Sequence, residues 1–188
     1  VQLKWGEDAG GEPIHIGDNR RGSNDIERAH ALYFPVNSYP LFENGIRGHK
    51  GRSVRDHQLA IGRLFAPFSK VASENPLSWF QTPHTPEEIA TPSDNNRYVG
   101  FPYTKYMNAV IQVDMAAAVV MTNVKTAREL GIPESKWVYL HGCAEAIDIW
   151  HVSERVTYYS SPAIRTIGQK ALAMAGKTAA DMSYFDLY

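Results

Sequence analysis

The second half of the chain alternates apolar runs with helical patterns, and this alternation restricts the fold more than any other feature. The run VDMAAAVVMTN, residues 113–123, is small and β-branched, which is typical of a strand buried on both faces. VKTARELGIP then predicts a helix ending at Gly131, and KWVYLHGCA predicts the next strand. Ser161 and Pro162 begin another helix, Gly176 ends it, and the strand SYFDLY follows. This order predicts a layered α/β sheet.

The first half has a different character. Residues 1–29 are rich in glycine and charge and predict a turn-rich connection. An apolar stripe before Gly48 predicts a short helix, and Ser53 is placed to cap a second one. Pro67 is expected to kink or split this second helix, because it lacks the amide donor. One further helical turn is predicted at Glu87 to Ala90. These patterns predict a mainly helical module.

Composition narrows the class of protein. The chain has 188 residues, 44% of them hydrophobic, and a formal net charge of -1, so it can bury a core and has no field that would attract nucleic acid. Its longest apolar run, Met115 to Met121, is too short to cross a bilayer, and no signal peptide is evident. The lone Cys143 fits a reducing compartment. We expect a cytoplasmic protein without a membrane span.

The histidines and the cysteine offer no complete catalytic set. His141 and Cys143 would share one face of a strand, so they could form a thiolate pair, although a buried structural cysteine is the commoner case. The spacing of His141, Cys143 and His151 matches no four-ligand zinc motif. We therefore predict neither a metal site nor catalytic residues in this chain.

Aromatic residues cluster around the proline-rich stretch that follows the second predicted helix. Such a cluster either lines an apolar pocket or packs a long loop onto the core. The residues concerned are Trp79, Phe80, Tyr98, Phe101, Tyr103 and Tyr106.

Three long stretches, in the right order, resemble the thiolase superfamily, especially its thiolase-like and sterol-carrier-type acetyl-CoA acetyltransferase branch. PVNSYPLFENGIRGHKGRSVRDHQLAIGRLFAPFSKVASENPLSW resembles the family's loop domain. HTPEEIATPSDNNRYVGFPYTKYMNAVIQVDMAAAVVMTNVKTARELGIP resembles the return to the core, and SSPAIRTIGQKALAMAGKTAADMSYFDLY resembles a later helix and strand. The resemblance covers about residues 30 to 188.

The resemblance implies a fold and a division of the chain. The fold would be part of an αβαβα layered sandwich with a mainly helical loop-domain insertion. Residues 1–29 would be the turn-rich connection and 30–105 the loop domain. Residues 106–133 would complete the N-terminal half, and 134–188 would start the C-terminal α/β half.

It also implies residues that contact coenzyme A. Many thiolases have Asn-Ala-Ser-Gly-Ile-Asn-Asp before the alanine strand, with the Ser and Gly against the pantetheine. Here NAVIQVD keeps Asn108 and Asp114 but has Val110 and Ile111, whose larger side chains would crowd the ligand. Tyr188 falls where the family has a residue that helps to bind the oxyanion-hole water. Coenzyme A or acyl-CoA would be a substrate, with no covalently bound cofactor.

The function implied is that of a segment of a thiolase-like acyltransferase. The family's nucleophilic cysteine lies upstream of the loop domain, and its histidine and second cysteine lie downstream of the last strand, so Cys143 matches neither cysteine. The rest of the polypeptide or a companion chain would supply the catalytic cysteine and histidine. The sequence leaves open whether the protein forms a homo-oligomer. The alternative is a non-catalytic member that binds acyl-CoA, a sterol or a partner subunit. A third is a self-sufficient small α/β protein.

Overall fold

The computed structural model describes residues 10–12 and 14–186, and most of the regular elements among them are helices. The α-helices are α1 (Asp25–Ala29), α2 (Pro35–His49), α3 (Val54–Glu74), α4 (Pro86–Ala90), α5 (Val124–Glu129) and α6 (Pro162–Met174). Strands β1 (Tyr98–Gly100) and β2 (Tyr103–Thr104) pair antiparallel. Short 3-10 turns lie at Lys105–Met107, Glu134–Lys136, Val152–Glu154 and Ala179–Asp181.

Side-chain caps fix where several of these helices begin. Ser53 accepts a hydrogen bond from the amide of Asp56 at the start of α3, and Ser161 does the same for Ile164 in α6. A reciprocal pair of bonds between Thr85 and Glu88 closes a capping box on α4. The caps predicted at Ser53 and Ser161 are confirmed, and so is the helical turn at Glu87 to Ala90, for which no cap was predicted.

Helix α3 continues through Pro67 rather than splitting there. Proline removes one donor, so the carbonyl four residues earlier, on Arg63, loses its partner. Arg63 is an exposed residue, where water can hydrate that carbonyl. Contacts on both sides of Pro67 hold the helix together, because Ile61 lies in the core and the Ser69 hydroxyl accepts from the His84 amide at 2.9 Å.

The core lies where α3 crosses α4 and the chain that follows β2. Ile61, Ile89 and Met107 are buried together, with Phe65 and Tyr106 among the residues packed against them. The two helices approach closely because a glycine stands at their contact: a Cβ built on Gly62 would overlap the carbonyl oxygen of Pro86. This contact places α4 beside the aromatic face of α3.

A buried polar cluster joins α2, α3 and β2. The imidazole Nε2 of His57 lies 2.6 Å from Glu43 Oε1, and the Tyr103 hydroxyl donates to Glu43 Oε2 at 2.7 Å. Burial, reinforced by the bond to the Glu43 carboxylate, raises the pKa of Tyr103 well above its ordinary value. The neutral hydroxyl is therefore the form that the folded chain favours.

In Tyr103→Phe, the free energy of unfolding is expected to fall less steeply with rising alkaline pH than it does in wild type. The folded pKa is raised, so the contribution of Tyr103 is complete below about pH 10, the unfolded value, and declines as the pH rises toward the folded value. Between about pH 10 and 11.5, wild type should lose about 1 kcal/mol more per pH unit than the variant. Urea unfolding at several pH values measures this, and equal slopes in the two proteins would contradict it.

The second half differs from the sequence prediction of three strands. Within the described residues, 113–123, 136–144 and 183–186 form no β-strand. A strand needs a neighbour for its amides and carbonyls, and no described segment pairs with these three. Their apolar side chains are accordingly exposed, with Val119 at 93% and Leu140 at 84%. The αβαβα sandwich and the division of the chain into four segments stay predictions.

Residues 148–161 fold back on the helical part of the chain. The Tyr158 ring packs edge-on against Phe42 of α2 at 5.4 Å. Asp148 accepts from the Ser161 hydroxyl at 2.5 Å and from the Arg155 guanidinium at 2.8 Å. The bonds from Ser161, Arg155 and the Ile149 amide hold the pKa of Asp148 at about 2. The carboxylate thereby ties this segment to the start of α6.

A bilayer-spanning helix would need both length and an apolar surface, and no helix among residues 10–12 and 14–186 has both. The exposed faces of α3 and α6 alternate apolar residues with charged ones, such as Arg63 and Lys70 on α3. Cytoplasmic localisation stays a prediction.

Candidate functional site

An open groove of about 610 Å³ runs along one face of α3. The segment between α3 and α4 forms a second side, and the turn after β2 with the residues that follow it forms a third. This volume is within the range of small-molecule and cofactor sites. The groove is larger than an adjoining cleft of about 430 Å³, and it lies beside the core cluster.

Aromatic rings make most of its apolar wall. Phe65 and Phe68 project from α3 with their ring centroids 6.2 Å apart, and Phe80 and Tyr106 come from the flanking segments. Phe68 and Phe80 are each 63% exposed, an unusual state for side chains of this size that are near one another. The exposed rings favour an apolar or partly apolar occupant over a polar one.

Polar side chains are interspersed along the groove. Asn108 uses its amide nitrogen on the Thr104 carbonyl at 2.7 Å, which leaves its Oδ1 as an acceptor. Ser69 accepts from the His84 amide at 2.9 Å and so fixes the segment between α3 and α4 on α3. Lys105 also lines the groove. A few polar groups in a largely aromatic wall are the usual means of orienting a ligand.

A stacked ring pair is shared between this groove and a second cleft of about 430 Å³. The rings of His84 and Tyr106 lie 4.3 Å apart, 19° from parallel. Glu87 and Glu88 line the second cleft, and hydrogen bonds from the Thr85 amide and hydroxyl lower the pKa of Glu88. The second cleft, which we call the acidic cleft, is therefore negatively charged.

The shared ring pair is held in place by a buried amide. Asn96 is fully buried, and its Oδ1 accepts from the Tyr106 amide at 2.9 Å. Its Nδ2 lies 2.8, 3.0 and 3.1 Å from the carbonyls of Glu88, Ile89 and Thr91. Asn96 thus connects α4 to the turn that bears Tyr106. Sequence reasoning missed it, because an asparagine in a polar loop belongs to no periodic pattern or motif.

Two of the four residues predicted to contact coenzyme A line the groove. They are Asn108 and Val110. Ile111 is 83% exposed and is not part of the groove lining, so the structure does not bring it to this site. Tyr188 lies outside the described residues. Of the aromatic cluster seen in the sequence, Phe80 and Tyr106 line the groove.

The histidine and cysteine candidates are not brought together. Cys143 is exposed, which overturns its interpretation as a buried structural residue. No hydrogen bond joins it to His141 in the described part of the chain, and His151 pairs with Glu154 at 3.1 Å. Residues 10–12 and 14–186 contain no group of three side chains that could hold a metal ion.

Comparison with known proteins supports the resemblance at the level of the fold. No family model and no curated protein matches the chain. A solved structure does match, and its fold is thiolase-like. It is the SCP2-thiolase-like protein type 1 from Mycobacterium smegmatis, described as monomeric, at 38% sequence identity and a TM-score of 0.73 over 90% of this chain. The described chain is thus similar to part of a thiolase-like protein.

The matched region covers 37% of the length of the Mycobacterium smegmatis protein. This chain therefore spans little more than a third of a protein of that kind. The assignment to the acetyl-CoA acetyltransferase branch, like the activity, substrate and partners of a whole protein, stays a proposal.

Proposed function

We propose that the chain is the acyl-CoA-binding segment of a thiolase-like acyltransferase, and that the groove along α3 takes the pantetheine arm and the acyl chain. One observation carries this proposal. The positions of Asn108 and Val110, which sequence resemblance alone assigns to coenzyme A, line this groove, which is larger than the acidic cleft. The groove has the size, the aromatic wall and the few polar groups that such a thioester requires.

The groove supplies binding and orientation rather than bond-making. The Asn108 Oδ1 can accept from a pantetheine amide, and the rings of Phe65, Phe68 and Phe80 can cover the acyl chain and exclude water. A thiolase-like acyl transfer passes the acyl group to a cysteine thiolate, with an oxyanion hole to stabilise the intermediate. In this proposal, polypeptide beyond the chain supplies that cysteine and the histidine.

A second candidate is a non-catalytic protein that binds an acyl chain or a sterol. Val110 favours it, because an apolar side chain stands in the groove where many thiolases have a serine that contacts the pantetheine. A groove that makes fewer polar contacts with the thioester is expected to bind an acyl chain or a sterol more tightly than it binds coenzyme A. Free decanoic acid and cholesterol as competitors separate the two: displacement of decanoyl-CoA by either one favours the second candidate.

Val110→Trp is expected to weaken binding of decanoyl-CoA about tenfold or more, because the indole would fill the volume that the ligand needs. Isothermal titration calorimetry on the full chain measures the dissociation constant. Val138→Trp is the matched control, since Val138 is 89% exposed and lies outside the groove. Equal weakening in both variants, or none in Val110→Trp, would contradict the groove as the binding site.

A further inference from the structure

The two clefts that share the His84 and Tyr106 rings differ in charge. Lys105 lines the groove, whereas Glu87 and Glu88 line the acidic cleft. The ammonium of Lys105 makes no hydrogen bond or ion pair within residues 10–12 and 14–186. A cation without an anion beside an aromatic groove is a counter-charge available to a ligand.

The backbone around Lys105 is well fixed, which makes the position of this charge reproducible. Its amide donates to the Arg97 carbonyl at 2.9 Å, and its carbonyl accepts from the Asn108 amide at 3.1 Å. The next residue, Tyr106, is anchored by the buried Asn96. The flexible side chain of Lys105 therefore extends from a rigid turn at the edge of the groove.

We propose that Lys105 binds the phosphate end of the coenzyme A ligand and that Glu87 and Glu88 exclude that end from the acidic cleft. This inference rests on the proposed function. It makes Lys105 the residue that distinguishes a thioester carrying phosphate from one without it. The aromatic rings recognise the part of the ligand that coenzyme A shares with pantetheine. The ammonium recognises the part that pantetheine lacks.

The experiment compares decanoyl-CoA with decanoyl-pantetheine, which has the same acyl chain and thioester but no phosphate. In Lys105→Ala, the dissociation constant for decanoyl-CoA is expected to rise about tenfold, because a charge-assisted contact to phosphate is lost. The value for decanoyl-pantetheine should not change. Raising the salt concentration should narrow the difference between wild type and variant for decanoyl-CoA, since ions screen an exposed pair.

Lys125→Ala is the matched control. Lys125 is 85% exposed on α5, lies 3.9 Å from Glu129 and is not part of the groove. Its replacement changes the net charge equally and should leave both dissociation constants unchanged. A fall in decanoyl-CoA affinity in both lysine variants would show a general charge effect and overturn the assignment to Lys105.

The remaining outcomes are also decisive. If wild type binds both ligands and Lys105→Ala weakens both or neither, the role of Lys105 is overturned while the proposed function stands. If wild type binds neither ligand, the proposed function fails and the inference fails with it. Circular dichroism of Lys105→Ala checks that the exposed substitution leaves the fold intact.

Discussion

Asn96→Ala is expected to lower the free energy of unfolding by about 3 kcal/mol. The amide is fully buried, and its removal leaves the Tyr106 N–H without its acceptor at 2.9 Å. The carbonyls of Ile89 and Thr91 lose the nitrogen that lies within 3.1 Å of each. The Ile89 carbonyl keeps the bond from the Thr104 hydroxyl at 2.7 Å, so the cost comes from the unpaired Tyr106 amide, the other lost bonds and the cavity that the side chain leaves. Urea unfolding followed by circular dichroism measures the change.

The neighbouring asparagine is the matched control for this prediction. Asn95 has the same side chain but is exposed, so Asn95→Ala should change stability by less than about 0.5 kcal/mol. Asn96→Asp keeps the size but replaces the donor that faces the three carbonyls, so it should destabilise at least as much as Asn96→Ala. An Asn96→Ala protein as stable as Asn95→Ala would show that the bonds to Asn96 carry no net stability.

Gly62→Ala is expected to destabilise the chain by about 2 kcal/mol, although alanine is the better helix former. A Cβ at this position would overlap the carbonyl oxygen of Pro86, which is backbone and cannot rotate away. Helices α3 and α4 would have to separate, and the core at Ile61 and Ile89 would open with them. Thermal and urea unfolding both report the loss.

A second helical glycine provides a control whose substitution is expected to raise the free energy of unfolding instead of lowering it. Gly168 lies inside α6, and a Cβ there would meet nothing within 4 Å. Gly168→Ala should therefore stabilise by roughly 0.5 to 1 kcal/mol, through helix propensity alone. If both substitutions stabilise, α3 and α4 do not depend on the close approach at Gly62.

Local signals in the sequence were sufficient for α3 and α6, whereas α1 (Asp25–Ala29) lies in a stretch that was predicted as a turn-rich connection. Ser53 and Ser161 begin α3 and α6 because a side-chain oxygen beside a helix start has one favourable use, and this use depends only on nearby residues. Gly176, with φ of 63°, ends α6 for an equally local reason. Neither cap nor glycine needs information from a distant part of the chain.

The strands were predicted from composition, and composition does not provide a pairing partner. The β-branched run around Val119 has a high strand propensity, yet a strand exists only when another strand bonds to its backbone. No described segment does so, and Val119 is 93% exposed. A pattern within one segment cannot show whether a second segment is present to pair with it.

The candidate site was predictable in part. Resemblance indicated Asn108 and Val110, and the groove includes both. Sequence reasoning did not assign Phe65 and Phe68 to a site, yet both line the groove and Phe68 is 63% exposed, because an apolar helix stripe can face a cleft as well as a core. The position of Asn96 between α4 and Tyr106 depends on the tertiary fold, which the sequence does not reveal.

Cys143 gives the chain one thiol, exposed and beside a close contact between two segments. A Cβ on the preceding residue, Gly142, would overlap the Ala171 carbonyl oxygen, so this stretch lies directly against α6. A maleimide fluorophore would therefore attach once per molecule, without any cysteine having to be removed. Its fluorescence emission would report whether the surroundings of the contact with α6 change when a ligand is titrated into the groove along α3.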